Sequence, residues 1–207
     1  NLNPHINALP TVNITAPLDG TYVSDTVTIM GTASDIDGDI QKVEIRVNDG
    51  PWNLAIGTSV WNYNWDTRVH TDSIHTVSAR SFDGSNYSET YSITLTVDNT
   101  PPSTTCSISG AEGINNWWTS NITITLTGMD NTSGIKNIYY KLNTADWEIY
   151  TNPLTLPNEG VHLLFYYSLD VAGNIEINNS IILKIDQTNP VTNHTLNPDT
   201  PTGTNGW

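Results

Sequence analysis

Apolar and polar residues alternate strictly over short stretches of this chain. Lys42-Val43-Glu44-Ile45-Arg46-Val47 puts three apolar side chains on one side of an extended backbone and three charged ones on the other. Ile93-Thr94-Leu95-Thr96-Val97 and Ile122-Thr123-Ile124-Thr125-Leu126-Thr127 repeat the pattern with threonine outside, and Val27-Thr28-Ile29 does so in brief. A period of two marks half-buried strands of antiparallel sheets. No window carries a helical period of useful length.

Turn chemistry separates these stretches. Asp19-Gly20, Asp37-Gly38, Asp49-Gly50-Pro51, Asp83-Gly84, Ser133-Gly134 and Gly173-Asn174 are strong punctuators. The first unit is predicted to hold strands near 11–16, 26–33, 41–48, 52–56, 60–65, 74–82 and 89–97. In the second unit they fall near 104–108, 121–128, 136–142, 147–150, 153–156, 161–169 and 179–185. Two sets of about seven short strands predict an all-β chain of two tandem immunoglobulin-like β-sandwiches.

An internal echo sets the boundaries. Ile185-Asp186-Gln187-Thr188-Asn189-Pro190 repeats Val97-Asp98-Asn99-Thr100-Pro101-Pro102. Thr192 then matches Thr104, Leu196 matches Ile108, and Gly206-Trp207 matches Asn116-Trp117 after a two-residue insertion. The predicted organisation is a tail at 1–9, sandwiches at 10–97 and 103–186, a proline-stiffened linker at 98–102, and the first strand of a further repeat within 187–207. The two units share a plan. Each has a strand, a turn and then a tryptophan (Trp52, Trp147), and each later has a strand led by His75 or His162 that ends in an Asp/Gly turn.

Composition narrows the function. The chain has 207 residues, a net charge of −14 and only 7 Lys and Arg, which argues against nucleic-acid binding and against attraction to anionic membranes. No apolar run is long enough to insert directly into a membrane. Asparagine (25) and threonine (30) are in excess while helix formers are scarce, which supports strands and turns. The single cysteine, Cys106, rules out a disulfide framework and reads as a small, partly buried apolar residue.

Through Ala16-Pro17, Gly20, Gly31-Thr32-Ala33-Ser34-Asp35, Asp37-Gly38, Val43-Glu44 and Ser81-Phe82-Asp83-Gly84, unit one resembles the bacterial and archaeal Ig-like domains of surface proteins. Unit two is similar to the tandem Ig-like repeats labelled OmpL47-like, through Asn116-Trp117-Trp118-Thr119-Ser120, Asp130, Ser133-Gly134-Ile135, Tyr139-Tyr140-Lys141, Trp147, and Tyr167-Ser168-Leu169-Asp170-Val171-Ala172-Gly173-Asn174. The resemblance implies a sandwich fold and an extracellular, cell-surface setting. It says little about activity, because such modules serve many parent proteins.

Four kinds of chemistry are weighed against plain structural roles. Six sequons centre on Asn13, Asn86, Asn121, Asn131, Asn178 and Asn193, although an Asn/Thr-rich chain generates the pattern by chance. Calcium, a hard cation that takes oxygen ligands, suits the alternating carboxylates of Asp35, Asp37 and Asp39, or the joint at Asp98 and Asn99. Turn conformation explains the same residues. Sugar stacking is offered by Trp61 and Trp65, four residues apart, and by the pair Trp117 and Trp118. Core packing is the alternative, and adjacent strand residues face opposite ways. Catalysis is not expected. None of the five histidines sits in a hydrolase or metalloprotease motif, and no phosphate loop or dinucleotide fingerprint occurs.

The sequence therefore reads as a structural module of a large extracellular prokaryotic surface protein: a stalk, adhesin, filament or surface layer. Its partners would be other copies, neighbouring repeats and surface glycans, with no cofactor beyond calcium. The alternative is a non-catalytic, glycan-binding spacer within a large secreted hydrolase.

Overall fold

The computed structural model describes residues 7–193. Unit one contains β1 (Thr11–Ala16), β2 (Tyr22–Val23), β3 (Thr26–Ser34), β4 (Lys42–Val47), β5 (Asn53–Leu54), β6 (Ile56–Gly57), β7 (Val60–Asp66), β8 (Ile74–Phe82) and β9 (Tyr91–Val97). Unit two contains β10 (Ser103–Ser109), β11 (Trp117–Trp118), β12 (Ile122–Met129), β13 (Ile135–Leu142), β14 (Glu148–Ile149), β15 (Leu154–Leu156), β16 (Gly160–Asp170) and β17 (Asn179–Ile185). One 3-10 turn, Thr67–Val69, interrupts the strands.

Each unit is a pair of facing sheets. In unit one the orders are β1-β3-β7-β6 and β2-β9-β8-β4-β5. In unit two they are β10-β12-β15 and β11-β17-β16-β13-β14. Pairing is antiparallel except where β2 runs parallel to β9 and β11 runs parallel to β17. These two-residue strands escape sequence reading because two residues carry no period. They let the chain cross to the second sheet before β3 and β12 begin. The stretch predicted as one strand at 52–56 is two, β5 and β6, on different sheets, with buried Ala55 at the crossing.

Alternation places the core. Ile29, Val43, Ile45, Val77, Leu95 and Val97 are fully buried in unit one, as are Ile122, Ile124 and Leu164 in unit two. Burial of apolar area at roughly 25 cal/mol per Å² is the main stabilising term for such a sandwich. Trp61 fills the centre of the first core, 1% exposed, lying over Gly31 across the β3–β7 ladder. A Cβ at Gly31 would fall 2.2 Å from the Trp61 ring and 2.1 Å from the Asn13 carbonyl, so only glycine fits beneath the indole.

Residues 187–193 form no strand. The positions that extend the predicted repeat, Leu196 and Gly206-Trp207, lie outside the described residues.

Candidate functional site

The joint between the units carries a dense polar network, drawn from both units and the linker. It begins where β9 ends. The Asp98 N–H donates to the Val23 carbonyl at 2.9 Å, which continues the parallel β2–β9 ladder by one residue. That pairing pins the Asp98 side chain at the boundary, where it is 0% exposed.

From there Asp98 holds both units. Its Oδ1 accepts from the Thr100 N–H at 3.2 Å, an Asx turn that shapes the linker. Its Oδ2 accepts from the Ser133 N–H of unit two at 3.0 Å. The Asn174 side-chain amide of unit two donates to the Asp98 carbonyl at 2.8 Å. Nearby, Ser24 Oγ of unit one donates to the Ala172 carbonyl at 2.9 Å.

Asn99 and Thr100 fasten the linker back to unit one. Asn99 Oδ1 accepts from the Asp25 N–H and the Thr67 hydroxyl, while its Nδ2 donates to the Thr67 carbonyl. The Asn99 N–H and the Thr100 hydroxyl both donate to the Asp72 carboxylate.

Two loops of unit two complete the joint. Asp130 Oδ1 gathers the N–H groups of Thr132, Ser133 and Gly134 at 3.1, 2.9 and 2.6 Å. Asp170 Oδ1 accepts from the N–H groups of Gly173 and Asn174 at 2.7 and 2.8 Å, and its Oδ2 accepts from Asn174 Nδ2 at 2.7 Å. The Val171 N–H donates to the Gly134 carbonyl and links the loops.

Asp98, Asp130 and Asp170 thereby converge, each offering an oxygen, with all three oxygens within 4.8 Å of one another. Asp98 and Asp170 are fully buried and Asp130 is half-buried. Among the described residues, no lysine or arginine forms an ion pair with any of the three. Buried charge is costly unless compensated. Backbone N–H groups compensate here, and the donor set of three carboxylates also fits a hard divalent cation.

Sequence reasoning identified Asp98 and missed Asp130 and Asp170 as its companions. The Asn99 side chain is turned to unit one, where its Oδ1 accepts two hydrogen bonds and its Nδ2 donates one. Asp35, Asp37 and Asp39 are not brought together as a three-carboxylate set. Asp35 Oδ1 accepts weakly from the Asp37 N–H at 3.4 Å, Asp37 Oδ2 accepts from the Ala8 N–H at 2.9 Å, and Asp39 is exposed. That loop anchors the incoming chain.

The tryptophans divide. Trp61 and Trp65 are 1% and 4% exposed, so neither presents a face for sugar stacking, which corrects that expectation. They belong to the first core, with Tyr63 packed against it. Trp118 packs against the second core, while half-buried Trp117 lines a cleft beside Asp186. Of the sequon asparagines, Asn13, Asn121, Asn131, Asn178 and Asn193 are exposed and Asn86 is half-buried. Thr195 of the last sequon lies outside the described residues. Burial raises the Cys106 thiol pKa, as suits an unreactive packing residue.

With the sheets and the joint in view, comparison with known proteins gives one family match. Residues 10–79 match the model of the bacterial Ig domain family. This region covers most of unit one. Among solved structures, the chain is similar to fibronectin(III)-like modules of Clostridium thermocellum CbhA, at 13% identity and a TM-score of 0.48, covering 89% of this chain and 100% of that one. It is also similar to an endo-beta-1,4-mannanase from Thermotoga petrophila, at 19% identity and a TM-score of 0.40, covering 47% of this chain and 22% of the mannanase. A tetra-tandem repeat from the extending region of a large adhesion protein aligns at 18% identity and a TM-score of 0.32, covering 86% and 49% of the two chains. No curated protein matches the sequence. No helix among the described residues is long and apolar enough to cross a membrane.

Proposed function

We propose that this chain is a structural, non-catalytic stretch of a large extracellular surface protein of a prokaryote, and that it works by holding its neighbours at fixed spacing and orientation. A stalk, adhesin, filament or surface layer needs such a part. The observation that carries the reading is the joint: Asp98 is bonded at once to its own linker and to Ser133 and Asn174 of the next unit. Flexible tethers lack such fastenings, and linkers of independent domains make few contacts with either side.

Other features support the reading. A net charge of −14 keeps an extended array soluble and repels unspecific association. Five exposed sequon asparagines offer sites for glycans on the outer surface. Calcium at Asp98, Asp130 and Asp170 would neutralise the carboxylates and tighten the joint further, as a charge clamp rather than a catalytic centre. Neighbouring repeats and other copies of the chain are the natural partners.

Gold-labelled antibody against this chain, applied to intact cells and viewed by electron microscopy, tests the reading. Label at a constant distance outside the envelope, on a fibre or lattice, is the expected result. Label confined to the cell interior overturns it. Label dispersed in the medium and co-purifying with a polysaccharide hydrolase supports the spacer of a secreted enzyme instead.

A further inference from the structure

The end of unit two repeats the architecture of the joint almost bond for bond. Where the Asp98 N–H donates to the Val23 carbonyl, the Asp186 N–H donates to the Trp118 carbonyl, both at 2.9 Å. Where Thr100 N–H turns onto Asp98 Oδ1 at 3.2 Å, Thr188 N–H turns onto Asp186 Oδ1 at 3.1 Å. Where Asn99 N–H meets the Asp72 carboxylate at 2.8 Å, Gln187 N–H meets the Glu159 carboxylate at 2.8 Å. The hydroxyl of Thr100 bonds to Asp72, and that of Thr188 bonds to Glu159 at 2.9 Å. Asp72 and Glu159 each lie three positions before the equivalent histidines, His75 and His162, so the clamp on the linker is a property of both units.

One half of the arrangement is missing at the second end. Asp98 is 0% exposed because loops 130–134 and 170–174 cover it, whereas Asp186 is exposed. A cleft of about 310 Å³ opens beside it, lined by Gly113, Ile114, Trp117 and Thr119 and by the linker 186–190. Thr119 follows β11 as Ser24 follows β2, and Ser24 is the residue that holds the Ala172 carbonyl in the first joint. The cleft therefore lies where a loop equivalent to 170–174 would rest.

We infer that this end of unit two, around Asp186, is a docking face for a further Ig-like unit of the second type, the one whose opening strand is echoed from residue 190 onward. Its recognition elements are an Asp-x-x-Ser-Gly turn, which offers a backbone N–H to Asp186 Oδ2, and an Asp-x-Ala-Gly-Asn turn, whose asparagine amide reaches the Asp186 carbonyl. Unit two carries these turns at Asp130–Gly134 and Asp170–Asn174. A unit of the first type lacks them: its corresponding loops read Asp35-Ile36-Asp37-Gly38 and Asp83-Gly84-Ser85-Asn86. The inference deepens the spacer reading and rests on it only for its biological meaning, since the docking stands on the paired geometry.

The test is a polypeptide in which residues 1–188 are followed by a second copy of residues 101–193. Backbone residual dipolar couplings and 15N relaxation report whether its three units align as one body. The expected result is a single alignment tensor for all three. In Asp186→Ala the third unit loses the common tensor while the first two keep it, and Asp186→Asn, which keeps an oxygen for the Thr188 N–H but presents an NH₂ where Oδ2 would accept the incoming N–H, weakens the alignment as well. Because Asp186 is exposed, its replacement leaves both cores intact, and unchanged couplings within units one and two verify this. Independent tumbling of the third unit in the unaltered polypeptide, or indifference of its alignment to Asp186→Ala, overturns the inference. Gold labelling of cells is unaffected by either outcome, so failure of docking and failure of the spacer reading are told apart.

Discussion

Asn48 clasps His75. The Asn48 side-chain Nδ2 meets the ring Nδ1 at 2.9 Å, while its Oδ1 accepts the Thr76 N–H at 2.9 Å. The amide is thereby oriented with its NH₂ toward the imidazole, so Nδ1 is an acceptor and the proton sits on Nε2, which donates to the Thr71 carbonyl at 2.9 Å. Unit two repeats the arrangement. Asn143 Nδ2 lies 3.3 Å from His162 Nδ1, Asn143 Oδ1 accepts the Leu163 N–H at 2.9 Å, and His162 Nε2 lies 3.1 Å from the Asn158 carbonyl. Both asparagines have positive φ, 52° and 55°, a conformation that asparagine tolerates better than most residues. The equivalent histidines are thus structural braces that tie a hairpin turn to the next strand.

Replacing Asn48 by alanine removes both bonds and leaves a nitrogen of buried His75 without its partner. The expected loss is about 1–3 kcal/mol of stability. Asn143→Ala is expected to cost less, because His162 is only half-buried and its contact is longer. Urea unfolding of the two variants, followed by fluorescence, checks the order.

Stability is expected to decline on the acid side through His70. Burial lowers its pKa first and the neighbouring His75 imidazole second, and Asp66 opposes them only in part. A histidine that is harder to protonate when folded gives the unfolded chain the greater proton affinity. Its stabilising contribution is complete above the ordinary value of 6.5 and is lost as pH falls through the lowered folded value. In His70→Gln the pH dependence of melting should flatten between neutral pH and that lower value. An unchanged slope would remove His70 from the account.

Millimolar calcium is expected to raise the melting temperature relative to chelator, since a ligand that binds only the folded state stabilises it by mass action. Asp170→Asn, which keeps an acceptor for the backbone amides but lowers the charge, should erase most of that increment. Identical melting in calcium and chelator would leave Asp98, Asp130 and Asp170 as turn caps alone.

Gly31→Ala probes the first core. The added methyl would collide with the Trp61 ring and with the backbone of β1. A cost of about 1–3 kcal/mol, the usual range for overpacking, is expected. Near-ultraviolet circular dichroism should report a disturbed indole, and an unperturbed spectrum with full stability would contradict the packing.

Much of the molecule was legible before any coordinates. Alternation at Lys42–Val47, Ile93–Val97 and Ile122–Thr127 specifies a strand and its buried face together, because a strand exposes its residues in strict turn. The echo of Asp98 in Asp186 was equally legible, and the two residues directly follow β9 and β17. Short elements such as Tyr22–Val23 stayed hidden, since a two-residue parallel pairing depends on a partner far along the chain.

The site divides in the same way. Local sequence determined that Asp98 would shape a turn before two prolines, and that Asp130 and Asp170 would each cap the loop that follows them, for these bonds span only a few residues. Only the tertiary structure decided that the three carboxylates meet, that Ser133 and Asn174 reach across to Asp98, and that Trp61 and Trp65 point inward. Those relations arise from how two sheets pack and how one sandwich seats on the next, and no periodicity within a single strand encodes them.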